Sequence, residues 1–252
     1  MCTLIAGRDV LGPGTMLLGA NRDENAGRPS DPPRLLSHAP LVVGGRDRLA
    51  GGTWLAVREG PAAVALLNRR DPVFERGTPP PPRRSRGLLA LDVARLGGER
   101  ALEQSLALVR ASSYGPFTLF FASPMDCWAI AHEPDREPRV IPVTPGWHVL
   151  THQELDDRSE PRAAWLVEHL RGYVPGSPAE AEDHMATLLR RHGDDGAPAV
   201  CLHDGRMVTV SSSIVYLDEH GVRYRHAEGR PCERAFEDQS DLLERDQPGE
   251  SE

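Results

Sequence analysis

Lysine is absent from all 252 residues, and the 29 basic side chains are all arginines. That excludes a lysine Schiff base, and with it pyridoxal phosphate chemistry. It equally excludes the usual P-loop, whose lysine reaches the β- and γ-phosphates. Net positive charge is lacking too: at a formal −8 the chain has no overall attraction for a phosphate backbone, so no nucleic-acid partner is expected. No apolar run approaches the ~18 residues of a membrane-crossing helix. The first residues also lack the basic-then-apolar pattern of a secretory signal, so the expected location is cytoplasmic. Cysteine is sparse. Cys2, Cys127, Cys201 and Cys232 show no C-x-x-C pair and no zinc-like spacing, and in the cytoplasm they should be reduced. Cys127 and Cys201 lie in apolar runs and read as core; Cys232 reads as a bystander. Neither a bound metal nor a resident cofactor is expected.

What is present is a succession of short apolar runs. "CTLIAG", "TMLLGANR", "PLVVGG", "GGTWLAVR" and "AAVALLNR" are each bounded by glycine or proline and read as a meander of buried strands. The prolines Pro79 to Pro82 interrupt any regular element, so residues 71–86 read as a surface loop. Its arginines form either a solvated connection or a rim for an anion. "SRGLLALDVARL", "ERALEQSLALVRAS", "EPRAAWLVEHLRGY" and "PAEAEDHMATLLRRHG" carry helical spacing. Between and after them lie further strand-like runs: "FTLFFAS", "DCWAIAHE", "PRVIPV", "GWHVLTH", "AVCLHD", "MVTVSSSIVYLD" and "GVRYRHAEG". Strands and helices occur in blocks rather than in strict alternation. That order predicts an α+β protein, with two antiparallel sheets and helices outside them. One domain over residues 1–236 is expected, followed by an acidic, flexible tail over 237–252.

The chemistry concentrates near the start. If Met1 is removed, Cys2 carries both a thiol and an α-amine, and an amine titrating near ~7.7–8.0 can take the thiol proton. "Asn21-Arg22-Asp23-Glu24" closes the second strand, and a hairpin of that length returns it towards Cys2. By alternation Asn21 and Asp23 face one side, Arg22 and Glu24 the other. Asp23 is placed to hold the amine, and Asn21 or Arg22 to address a substrate. The histidines, among them His132, His148, His152, His184 and His203, show no spacing that marks an axial haem pair. Cys201 and His203 would share one strand face, the one geometry in which a joint metal site is conceivable.

"MCTLIAG", "GANRDENAGRPS", "GGTWLAV", "ALLNRR", "TPGWHVLTH" and "TVSSSIVYLDEHG" occur in an order that resembles the NRDE family, also called the transport-and-Golgi-organization 2 family. The resemblance runs from residue 1 to about residue 227. It implies a four-layer αββα sandwich like that of N-terminal-nucleophile hydrolases, above all the penicillin V acylase and bile salt hydrolase group. On that likeness Cys2 corresponds to the nucleophile, Asp23 to the aspartate at the amine, and Asn68 to an oxyanion donor. The acylases' second oxyanion asparagine falls on His152, and two of their arginines fall on Ala20 and Val210; Arg22 is expected to stand in for the missing cation. Three functions remain open here. One is a hydrolase of a non-peptide C–N bond in an N-acyl amide. Another is a carrier of haem or an acyl lipid, activities also associated with the family. The last is a structural or regulatory domain. The partners expected are therefore a small-molecule amide, an acyl lipid or haem.

Overall fold

A strand that is apolar on both faces needs a layer on each side of it. The first two strands, β1 (Thr3–Arg8) and β2 (Met16–Glu24), have this character. Leu4, Ala6, Met16 and Leu18 pack into one cluster, whereas Ile5 and Leu17 pack into another. The computed structural model describes residues 2–70, 83–98, 100–193 and 196–244, and it resolves this demand as two stacked antiparallel sheets with helices outside both.

The first sheet has the order β10-β1-β2-β11-β12-β13, where β10 is Gly146–Leu150, β11 Val208–Asp218, β12 Gly221–Glu228 and β13 Glu237–Asp238. The second runs in sequence order from β3 to β9: β3 (Ser30–His38), β4 (Leu41–Asp47), β5 (Leu55–Arg58), β6 (Ala62–Asn68), β7 (Phe117–Ala122), β8 (Cys127–His132) and β9 (Arg139–Pro142). Pro32 and Pro33 cannot donate to a ladder, and β3 is accordingly an edge strand. Between the sheets lies a core of mostly small and aliphatic side chains, among them Leu4, Leu18, Val43, Val57, Ala63, Ala65, Leu67 and Val215.

Helices α1 (Arg86–Ala94) and α2 (Ala101–Arg110) cover the outer face of the second sheet, packing Leu89, Val93 and Val109 against Val64, Leu66 and Phe117. Helices α3 (Pro161–Leu170) and α4 (Pro178–Arg190) cover the first, with Leu166, Leu170, Met185 and Leu189 against Ile5, Leu17 and Ile214. Both α3 and α4 start on a proline, whose missing N–H costs nothing at that position. The Glu160 carboxylate accepts from Ala163 N, and the Ser177 hydroxyl accepts from Glu180 N. Gly19 in β2 lets α4 approach, since a Cβ there would stand 2.2 Å from Met185 Sδ. The αββα sandwich expected from the sequence is the observed fold.

Two local expectations differ from the structure. "AVCLHD", read as a strand, is irregular over 199–204. Val200 N and Cys201 N both donate to the Arg191 carbonyl, so this backbone closes a loop instead of joining a ladder. The polar residues from 237 onward were expected to fray. Instead Glu237–Asp238 pair with β12, and Leu243 packs on the inter-sheet core. Residues 245–252, and 71–82 of the proline loop, lie outside the described residues. No helix among the described residues is long and apolar enough to cross a membrane.

Candidate active site

The β1–β2 hairpin is in register with Thr3 opposite Asn21, which brings Cys2 beside the "Asn-Arg-Asp-Glu" end of β2. Cys2 is half-buried and lines a cleft of about 710 Å³ together with Asp23, Asn68 and His152. Its Sγ is 4.0 Å from the Asp23 carbonyl oxygen, and burial pushes its thiol up from the ordinary range. A buried thiol of that kind is a poor nucleophile without a base within reach.

Asp23 is buried and firmly held. Its Oδ1 accepts from the Thr209 hydroxyl at 2.7 Å and its Oδ2 from Arg162 Nη1 at 3.0 Å, while Arg162 also donates to Thr3 Oγ1 at 2.6 Å. Burial raises the Asp23 carboxyl above its usual range, against the pull of Arg162 and Thr209. A β-bulge at Val210, where the pairing with β2 slips between Thr209 and Ser211, is what turns Thr209 towards Asp23. Arg162 is thus the cation that pairs with Asp23, whereas the guanidinium whose charge bears on the Cys2 thiol is Arg22. Arg162 reaches Thr3 and Asp23 from the first turn of α3.

Arg22 is buried but committed to other partners. Its guanidinium lies 4.0 Å over the Trp54 ring, donates to Ser30 Oγ at 3.0 Å, and pairs with Asp47 at 3.5 Å. It therefore braces β2 against the opposite sheet while forming part of the cleft wall. The "GGTW" stretch explains how Trp54 gets there. Gly51 takes a left-handed turn (φ +77°), and a Cβ on Gly52 would stand 2.1 Å from the Gly87 carbonyl carbon at the start of α1. Only two glycines in sequence permit that approach.

Asn21, expected to contact substrate, borders a small cavity beside Cys2 but has its polar atoms engaged by the protein. Its Nδ2 donates to the carbonyls of Leu189 and Val200, and its Oδ1 accepts from the Ser212 hydroxyl. With those bonds made it ties β2 to the end of α4 and is not part of the cleft lining.

Asn68 ends β6 and is exposed on the cleft, while His152 sits just past β10 in the other sheet. The residue next to Asn68 joins the two. Arg69 donates to the Gln153 carbonyl at 3.2 Å and to Glu154 Oε1 at 2.5 Å, fastening the His152 loop against the end of β6. The His152 side chain is buried, and its Nε2 has no hydrogen-bond partner among the described residues. Burial, then the nearby Arg70, lowers its pKa, so the ring is neutral at pH 7.

Asp156 closes the same loop from the other end. It adopts φ 58°, its N–H donates to the Val149 carbonyl, and its Oδ1 accepts from Val149 N. Its Oδ2 is 2.7 Å from His148 Nδ1, and His148 Nε2 is 2.9 Å from the Thr144 carbonyl. Both ring nitrogens face acceptors, an arrangement that favours the doubly protonated ring. Burial alone would lower its pKa, but Asp156 and Thr144 raise it on balance. A raised folded-state pKa contributes stability that is fully present below the unfolded value of ~6.5 and is lost as pH rises through the folded value. Asp156→Asn is therefore expected to cost about 1 kcal/mol at pH 6 and markedly less at pH 9, read by urea unfolding at the two pH values. An equal loss at both would show that the ion pair contributes nothing.

Seven arginines and three carboxylates line the cleft; Arg69 and Arg84 are also paired with Glu154 and Asp92 behind it, which leaves a smaller cationic excess within a chain of net charge −8. Arg83, Arg84 and Arg86 stand with Ser85 and Gly87 at the N-terminus of α1, whose backbone N–H groups add to the positive field.

The surrounding fold is shared with several solved amide hydrolases. Penicillin V acylase from Agrobacterium tumefaciens superposes with a TM-score of 0.56 at 10% identity, covering 90% of this chain and 83% of that one. An N-acylethanolamine-hydrolyzing acid amidase ortholog from Caenorhabditis elegans gives 0.54 at 14%, over 84% and 92%. A variant of conjugated bile acid hydrolase from Clostridium perfringens gives 0.51 at 14%, over 97% and 95%. At such identities the likeness establishes the N-terminal-nucleophile hydrolase fold. No curated protein matches the sequence. The model of the family described as Transport and Golgi organisation 2 matches residues 1–213, and the chain belongs to that family.

Proposed function

We propose that this member of the Transport and Golgi organisation 2 family is an N-terminal-nucleophile amidohydrolase, and that it cleaves an N-acyl amide carrying an anionic group. The observation that carries this reading is the convergence of Cys2, Asn68 and His152 on one cationic cleft, with Asp23 fixed beside Cys2. Removal of Met1 exposes the α-amine on the same residue as the thiol. The amine takes the thiol proton as Sγ attacks the acyl carbon, overcoming the burial that otherwise keeps the thiol protonated. Asn68 Nδ2 and the neutral His152 donate to the developing oxyanion. The ammonium then protonates the leaving nitrogen, giving a Cys2 thioester and a free amine. Water, deprotonated by the same α-amine, releases the acid and regenerates the thiol. Asp23, held by Arg162 and Thr209, positions the amine. The arginines and the α1 terminus favour a carboxylate, sulfonate or phosphate on the substrate.

A second reading uses the same cleft. The cleft's arginines are groups that would hold the propionates of a haem, and the neutral, unpartnered His152 would hold its iron once the buried Nε2 is uncovered. A panel of N-acyl amides with anionic, neutral and cationic amine portions, assayed beside a haemin titration, separates the two. The hydrolase reading expects turnover with preference for the anionic members, and haemin binding, if any, that is unchanged by Cys2→Ala. No turnover across the panel, with a saturable Soret shift lost in His152→Ala, supports carriage instead.

A further inference from the structure

Four ligand-type side chains that the cleft does not use meet where α4 ends. His192 follows that helix, Cys201 and His203 lie in the irregular 199–204 segment, and Cys232 lies in the turn after β12. Cys232, read from sequence as a bystander, has its Sγ 3.6 Å from Cys201 Sγ and 3.1 Å from His203 Nε2. Cys201 Sγ is 3.7 Å from the same nitrogen. The His192 ring packs edge-on against His203 with centroids 4.5 Å apart, and all four ligand atoms lie within 4.8 Å of one another.

The Cys201–Cys232 and Cys201–His203 separations are close to those of a coordination shell, and the remaining ones need only small side-chain shifts to reach it. Zn–S bonds of ~2.3 Å and Zn–N bonds of ~2.0–2.1 Å at tetrahedral angles place sulfurs ~3.8 Å apart and sulfur ~3.5 Å from nitrogen. A disulfide would need sulfurs at ~2.05 Å and would give the two imidazoles no reason to converge. The second ring nitrogen of His203, Nδ1, is 3.8 Å from Glu233 Oε1, beyond hydrogen-bond reach but near enough for the carboxylate to orient the ring after a small shift. Arg230 donates to both the His203 carbonyl and Glu233, fixing the two relative to each other.

We propose that His192, Cys201, His203 and Cys232 bind one zinc ion in a closed, structural site. Two thiolates and two neutral imidazoles select zinc by ligand type and geometry, and four protein ligands leave no open position for catalysis. Binding releases the two thiol protons to solvent, and the complex of Zn²⁺ with two thiolates carries no net charge. The ion would join three separate segments of chain behind the cleft. Val200 accepts from Asn21, and Leu202 exchanges hydrogen bonds with Thr209, whose hydroxyl holds Asp23. The zinc site thus fixes the frame of Asp23 whatever reaction the cleft performs.

The test is elemental analysis of the full-length protein, purified under reducing conditions from zinc-supplemented cells. One zinc per chain is expected in wild type and in Cys2→Ser, with loss in Cys232→Ser. His192→Gln, which changes an exposed side chain, should keep its fold and bind zinc more weakly in competition with a chelator. Apo protein loaded with Co²⁺ should show thiolate-to-cobalt charge transfer and tetrahedral visible bands. The proposal is overturned by substoichiometric zinc together with no cobalt spectrum. It is equally overturned by a full zinc in Cys232→Ser, or by a Cys201–Cys232 disulfide in the reduced preparation. None of these readouts depends on hydrolysis.

Discussion

Replacing Cys2 with alanine lowers hydrolysis of the preferred amide by at least about a thousandfold, because it removes the atom that forms the acyl intermediate in this mechanism. The half-buried side chain is small and packs only at the margin of the inter-sheet core, so the thermal midpoint should move little. Cys2→Ser retains the amine and an oxygen nucleophile and is expected to fall between alanine and wild type. The pH dependence adds a second constraint. Burial raises the thiol, so a mechanism using preformed thiolate would gain rate only above the ordinary thiol range. Proton transfer to the α-amine instead gives a rate that rises around the titration of an amine, near ~8. Activity in Cys2→Ala within tenfold of wild type would remove Cys2 from the mechanism.

Arg162→Met is expected to be the most destabilising single change near the cleft. It removes the guanidinium from a buried carboxylate that keeps the Thr209 hydroxyl and the field of the N-terminal amine, at a cost of up to about 3–5 kcal/mol. The deficit should shrink as pH falls. Without Arg162 the folded-state pKa of Asp23 rises further above the unfolded value of ~3.9, so the folded chain binds the proton first and gains stability as pH drops towards that value. Urea unfolding of Arg162→Met at pH 8 and pH 5 measures this, and the double variant Arg162→Met/Asp23→Asn should recover part of the loss. A cost under about 1 kcal/mol at pH 8 would mean that the pair behaves as a solvated surface bridge.

Much of the architecture was readable because strand and helix periods report what lies on each side of an element. The doubly apolar runs at Thr3–Arg8 and Met16–Glu24 imply layers above and below them, and the hairpin between them brings Cys2 to the end of β2. Alternation also divided the tetrapeptide as it stands: Asn21 and Asp23 bond towards the helices, while Arg22 stacks on Trp54 of the opposite sheet. It could not say which of these residues would be spent on structure. Asn21 is spent on the carbonyls of Leu189 and Val200, groups far away in sequence that become acceptors only after α4 docks.

Arg162 was missed although a signal existed. It shares the buried face of α3 with Leu166 and Leu170 at four-residue spacing, and an arginine on an apolar stripe needs a buried anion. Of the His/Cys cluster only Cys201 and His203 left a trace, as neighbours on one face; His192 and Cys232 come from separate segments with no recognisable spacing. "AVCLHD" misled for a related reason: Val200 and Cys201 are buried, Val200 against the helices of the first sheet, although this backbone joins no ladder.

The central claim is that Cys2, as the first residue of the mature chain, becomes acylated. Mass spectrometry of the purified protein, taken intact and then after acid quench during turnover of an N-acyl amide, tests both parts in one experiment. The account predicts a chain lacking Met1, with a transient mass increase equal to the acyl group on the peptide beginning at Cys2, absent in Cys2→Ala. Retained Met1 in protein that is fully active, or an acyl adduct on any other residue, would contradict it.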